Sequence, residues 1–115
     1  MTKNLNNLGL KSIATNYDLF FVDIWGVVHN GISPFKDALL VLDELEKINK
    51  EYVLLTNAPR PNFSVKIFLK NMGISENISS KVYTSGQASL DYLLKNYKEK
   101  KFFHIGPPRD FDLFT

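Results

Sequence analysis

The stretch Leu19-Phe20-Phe21-Val22-Asp23-Ile24-Trp25-Gly26 decides the fold class. Four consecutive apolar residues end abruptly in a carboxylate. An uninterrupted run of this kind is expected of a strand buried on both faces, as in parallel sheets. A carboxylate at its end is costly unless it is paired, hydrogen-bonded or bound to a metal. Asp23 is therefore the first candidate functional residue, and its structural alternative is a turn or capping Asp. Gly26 follows closely, where backbone can approach an anion.

Working outward, strands and helices alternate. Ser33-Pro34 reads as a helix start, with Ser as N-cap and Pro at the first position. Phe35, Ala38, Leu39, Leu42, Leu45 and Ile48 follow at helical spacing. Tyr52-Val53-Leu54-Leu55 reads as a second buried strand. Asn62 is placed to cap a second helix carrying Val65, Phe68, Leu69 and Met72, and Gly73 to end it. Lys81 to Thr84 reads as a third strand. Leu90, Leu93, Leu94 and Tyr97 mark a third helix. Phe102-Phe103-His104-Ile105 reads as a fourth strand, stopped by Gly106-Pro107-Pro108. Residues 1–17 form a polar N-terminal arm with a short helix near Leu8 to Ala14, and residues 18–115 form the domain.

The order β-α-β-α-β-α-β implies right-handed crossovers and a mainly parallel sheet, an α/β, Rossmann-like, three-layer architecture. In such sheets ligands bind beyond the C-terminal strand ends. That rule directs attention to Asp23-Ile24-Trp25-Gly26, to Thr56-Asn57 and to Thr84-Ser85-Gly86. Thr56 and Asn57 are short polar groups able to donate hydrogen bonds to a phosphoryl oxygen; alternatively they are a turn residue and a helix cap. Their placement with Asp23 on neighbouring strand ends strengthens the functional reading.

Composition narrows the class. The 115 residues are 44% hydrophobic and 23% charged, with nine Phe, five Tyr and one Trp, enough apolar area for one core. The formal charge of +2 is too mild to argue for nucleic acid, and the basic stretch Lys95 to Lys101 reads as a solvated helix end. The absence of Cys excludes disulfides, thiol catalysis and Cys-based zinc sites. The most apolar stretch, Leu19 to Val28, carries Asp23 and falls short of the ~20 residues of a spanning helix, so a cytoplasmic protein is the default.

Three segments carry a resemblance. FFVDIWGVVHNG (residues 20–31) resembles the first motif of the haloacid dehalogenase (HAD) superfamily, an apolar strand, an Asp and a Gly three positions later. VLLTNAPRP (residues 53–61) resembles the second motif, a strand ending in Thr or Ser. VYTSGQ (residues 82–87) resembles the segment after the third strand in the subclass with a large cap domain, which includes NagD-like, phosphoglycolate and pyridoxal phosphatases.

The resemblance implies a Mg²⁺-dependent phosphomonoester hydrolase acting on a small phosphorylated metabolite. Asp23 would form an aspartyl-phosphate that water hydrolyses. Mg²⁺ would take the Asp23 carboxylate and the backbone carbonyl of Trp25, both hard oxygen donors. Thr56 would hold a phosphoryl oxygen, with Asn57 and the backbone N–H groups of Ile24, Trp25 and Gly26 assisting.

Two departures bear on activity. The family's phosphatases carry a second Asp two residues after the nucleophile as acid and base, and here that position is Trp25. Such help is worth ~10²–10⁴-fold. His29 is a candidate substitute, or else a flap residue. The family's later Lys and its acidic pair for the metal are not found by residue 115, so the cap and C-terminal half are expected to be missing. Asp110 and Asp112 follow a Pro-rich turn at the wrong point in the strand order for that pair.

The alternative is a non-catalytic remnant, or a phosphate-binding fragment that pairs with a copy of itself or a complementary chain. A P-loop or dinucleotide reading lacks its Gly-rich cradle, and a receiver-like reading lacks acids near the first strand's C-terminal end. Arg60 reads either as a solvated loop residue or as a partner for a substrate anion, and His104 as a core or edge residue of the fourth strand.

Overall fold

A computed structural model describes residues 4–114. Three strands, β1 (Leu19–Asp23), β2 (Glu51–Thr56) and β3 (Val82–Thr84), form a parallel sheet in the order β1-β2-β3. Helix α1 (Lys36–Lys47) joins β1 to β2; α2 (Asn62–Asn71) and the short α3 (Glu76–Ser79) join β2 to β3; α4 (Ser85–Asn96) follows β3. This is the expected α/β alternation. The register sets Asp23 beside Leu55 and Thr56 beside Thr84, so the polar ends of β2 and β3 lie level and Asp23 ends β1 one residue short of them.

The pleat sends alternate side chains to opposite faces. Tyr52, Leu54 and Val82 are buried on one face, with Phe20 and Val22 packed against them. Leu42 and Leu45 of α1, Leu69 of α2, and Ile74 and Ile78 around α3 complete that core, and Ala14 of the arm joins it. On the other face Phe21 is 69% exposed, and Leu55 and Tyr83 are also exposed. The burial of β1 on both faces, expected from its unbroken apolarity, is thus not observed among the described residues. An apolar run reports what a strand could bury, not whether a second layer is present.

Local chemistry sets the boundaries. Helix α1 starts at Lys36, not at Pro34, and Phe35 occupies the cap position without a side-chain bond. Asn30 captures Ser33 instead: its Oδ1 accepts the Ser33 N–H at 2.8 Å, and its N–H donates to the Ser33 carbonyl at 3.2 Å. Pro34 bridges to His29, and the Phe35 N–H donates to the Val28 carbonyl, holding both residues extended. Asn62 is the first residue of α2, not its cap, because its Oδ1 accepts the N–H of Thr84 at 2.9 Å. Gly73, at φ 94°, ends α2 as expected; the N–H of Gly73 and of Ile74 return to the carbonyls of Lys70 and Leu69.

Three further expectations are corrected. The arm forms two 3₁₀ turns, Leu10–Ser12 and Ala14–Asn16, in place of one helix near Leu8 to Ala14, and its residues 1–3 lie outside the described residues. Phe102 to Ile105 is irregular, with Phe103 and Ile105 almost fully exposed, because an apolar run becomes a strand only beside a ladder partner. His104 therefore sits in no strand; its ring meets Phe111 at 5.4 Å. The chain then closes in a 3₁₀ segment, Pro108–Phe114. The basic residues from Lys95 to Lys101 are solvent-exposed, as expected.

Candidate active site

Asp23 ends β1, and the backbone turns sharply after it. The Ile24 N–H donates to Asp23 Oδ1 at 2.8 Å, holding one carboxylate oxygen. The Ile24 carbonyl accepts from Val27 at 3.2 Å and Val28 at 2.8 Å, closing a tight turn. Gly26, at φ 75°, supplies the left-handed residue this turn requires. Its N–H donates to the His29 carbonyl at 2.8 Å, so Gly26 shapes the loop and its amide is committed within it.

His29 is 1% exposed, wedged edge-on between Trp25 at 5.1 Å and Phe68 at 5.5 Å. Its Nδ1 accepts the Gly31 N–H at 2.8 Å. Burial pushes its pKa below the ordinary 6.5, so the imidazole is neutral at neutral pH, with its proton on Nε2. A neutral imidazole that anchors a turn is poorly suited to protonating a leaving group. His29 is a structural pin of the flap. Gly31 is fixed by the same packing: a Cβ there would lie 2.3 Å from the Trp25 indole.

Thr56 ends β2, nearly buried, and its Oγ1 accepts the Ala58 N–H at 3.3 Å while retaining a proton to donate. The loop after it is clamped from β3 and α4. The Ser85 hydroxyl contacts the Asn57 and Ala58 carbonyls at 2.9 and 3.0 Å, Gly86 N–H donates to the Ala58 carbonyl, and the Thr84 hydroxyl donates to the Arg60 carbonyl. A Cβ on Gly86 would lie 2.5 Å from the Arg60 backbone. The VYTSGQ segment thus shapes the second motif from below.

Asp23, Thr56 and Asn57 line one open cleft of about 510 Å³ whose floor is Phe21, Leu55 and Tyr83. A neighbouring cavity of about 330 Å³ shares Thr56 and is lined by Ile24, Trp25, His29, Arg60 and Asp110. Of the sequence-derived candidates, Asp23, Thr56 and Asn57 meet in the first space, Ile24 and Trp25 in the second, and Gly26 lines neither. Among the described residues no group of three or more His, Cys, Asp or Glu could hold a metal. The donors at hand are the Asp23 carboxylate and backbone carbonyls of its turn, hard oxygens suited to Mg²⁺ but fewer than a full protein-derived set.

Sequence reasoning missed one contact. The Arg60 guanidinium grips Asp112 Oδ2 through Nε at 3.1 Å and Nη2 at 2.6 Å, and the Ser64 hydroxyl donates to the same oxygen at 2.6 Å. Arg60 holds the Asp112 carboxyl below its ordinary pKa. No local signal announces a pairing across 52 residues. Asp110 is 5% exposed at the rim of the smaller cavity, with Arg109 Nε 3.7 Å from its Oδ1.

Residues 20–115 match the haloacid dehalogenase-like hydrolase family. A haloacid dehalogenase-like hydrolase from Brucella suis 1330 is 33% identical, superimposes with a TM-score of 0.78 and covers 91% of this chain. A 4-nitrophenylphosphatase from Thermotoga maritima is 26% identical, with a TM-score of 0.74 over 89% of the chain. A further structure, described as a nagD protein, is 28% identical, with a TM-score of 0.70 over 84%. The chain spans 38%, 39% and 38% of these structures, respectively. No curated protein matches the chain.

Proposed function

Because the chain belongs to the haloacid dehalogenase-like hydrolases, as an N-terminal part of the NagD-like subclass, we propose that it carries the nucleophilic half of a phosphomonoester hydrolase. The observation that supports this best is the convergence of Asp23, Thr56 and Asn57 on one cleft at neighbouring strand ends. The Ile24 N–H orients the Asp23 carboxylate through Oδ1. Oδ2 attacks phosphorus, the bond to the ester oxygen breaks, and that oxygen leaves with the electron pair. Water then attacks the aspartyl-phosphate, returning inorganic phosphate and the free carboxylate.

Thr56 donates its hydroxyl proton to a phosphoryl oxygen and Asn57 adds an amide donor, while the Ile24 amide acts through its bond to Asp23 Oδ1 and Trp25 faces the neighbouring cavity. Gly26 serves by permitting the turn. Mg²⁺, held by Asp23 and the Trp25 carbonyl, would supply charge neutralisation between the anionic nucleophile and the anionic substrate. With Trp25 in the acid's place and His29 neutral and pinned, no described group near Asp23 is suited to protonate an alkoxide. An aryl phosphate, whose leaving group needs no proton, is therefore the substrate of choice for a test.

The chain is incubated with Mg²⁺ and 4-nitrophenyl phosphate, quenched in acid and digested. A phosphoryl adduct is expected on the peptide containing Asp23, absent in Asp23→Asn. No adduct in the folded wild type, with phosphate release equal in both chains, overturns the proposal.

A second reading is favoured by the exposed sheet face at Phe21, Leu55 and Tyr83. Here the chain binds phosphate weakly and becomes competent only on pairing with another polypeptide or a second copy. An open apolar face and an unpaired strand edge both promote association. Light scattering across a concentration series separates the readings: a monomer that forms the adduct excludes this one.

A further inference from the structure

We propose that Arg60 and Ser64 form an oxyanion-binding subsite beside the phosphoryl site, and that the chain's own Asp112 occupies it as a displaceable internal ligand. The ligand class is a carboxylate or phosphate group presented by a small molecule. The place beside the phosphoryl site rests on the phosphatase reading; the anion binding does not.

Three donors from two side chains converge on a single carboxylate oxygen, at 3.1, 2.6 and 2.6 Å. The guanidinium fork fits planar oxyanions, and charge-assisted bonds of this kind are short and strong. Ser64 is buried, so its hydroxyl is aimed by packing. The donors are fixed to the core: Arg60 follows Thr56 in the loop clamped by Ser85 and Gly86, and Ser64 lies in the first turn of α2.

The ligand is held differently. Asp112 belongs to a 3₁₀ segment reached through the exposed, irregular stretch from Lys101 to Gly106. Asp112 ties this segment to the sheet domain through Arg60 and Ser64. A donor pair on the sheet domain, filled by a carboxylate from a separate 3₁₀ segment of the same chain, has the layout of a site with a tethered competitor. The cavity next to it, about 330 Å³, is lined by Arg60 and Trp25 and shares Thr56 with the cleft of Asp23. A small molecule could thus reach both sites, and the single Trp reports on it.

The test titrates the full chain with malonate, and separately with inorganic phosphate, at constant ionic strength while following Trp25 emission. Asp112→Asn removes the internal competitor and is expected to respond saturably at malonate concentrations roughly ten-fold or more below those needed by wild type. Asp112→Ser serves as a second replacement and is expected to behave alike. Adding Arg60→Gln to Asp112→Asn should abolish the saturable response, and adding Arg60→Lys should weaken it, because the charge remains but the fork is lost. The larger Arg60-dependent response, malonate or phosphate, identifies the preferred oxyanion.

Equal malonate midpoints in wild type and both Asp112 variants overturn the proposal, as does a response that survives Arg60→Gln. Asp23→Asn is expected to keep the malonate response. Loss of the Asp23 phosphoryl adduct with the malonate response intact therefore faults the phosphatase reading alone. An adduct with no Arg60-dependent response faults the subsite alone.

Discussion

At the scale of single residues, the site is organised by small groups in special conformations. His29 is the clearest case, because its buried neutral ring holds the flap through Gly31. Its folded pKa lies below 6.5, so the unfolded chain binds the extra proton first as pH falls. The contribution of His29 to stability is complete above about pH 6.5 and is lost as pH falls through the lowered folded value. Urea midpoints measured on both sides of that range should fall on acidification in wild type and fall less in His29→Gln; parallel profiles would contradict this. Gly86 is the second case. A Cβ 2.5 Å from backbone cannot be relieved by a side-chain rotation. Gly86→Ala is expected to cost about 1–3 kcal/mol, read by denaturant unfolding, and to displace the loop carrying Thr56 and Arg60.

At the scale of elements, the strands carrying the site were legible because each is an apolar run ending in a short polar residue. Asp23 and Thr56 were found from that pattern and lie together in the cleft. The helix starts were read less well, since Ser33 and Asn62 are favourable caps in isolation but are bound elsewhere, to Asn30 and Thr84. Helix α3 was missed although Ser75 caps it through the Ile78 N–H, because four residues are too few for periodicity. Phe102 to Ile105 was misread because apolarity carries no information on whether a neighbouring strand exists. One polar tie between elements could not be read at all. Glu46 of α1 accepts from Tyr52 of β2, Asn77 of α3 and Lys81 before β3. Glu46→Ala leaves the buried Tyr52 hydroxyl without this acceptor and is expected to lower the unfolding free energy by about 1–3 kcal/mol. An unchanged denaturant midpoint would show that water replaces the carboxylate.

At the scale of the whole molecule, one sheet face is packed and the other presents Phe21, Leu55 and Tyr83 as the floor of the cleft beneath Asp23. The proposed chemistry thus sits at the boundary between a finished core and an open surface. Among the described residues no helix is long and apolar enough to cross a membrane. Asp23, the proposed nucleophile, and Thr56, the proposed phosphate donor, lie in this chain, and among the described residues no group of three or more His, Cys, Asp or Glu could hold a metal. Whether the nucleophilic half alone accepts a phosphoryl group is the question on which the functional reading turns. Trp25, the single tryptophan, lies two residues from Asp23 and reports on it. The most direct test titrates the purified chain with beryllofluoride, a phosphoryl mimic, in the presence of Mg²⁺ while following Trp25 emission. A saturable change in wild type that is lost in Asp23→Asn is expected. A folded wild-type chain with no change, or with a change that Asp23→Asn retains, would contradict Asp23 as the phosphoryl acceptor of this chain.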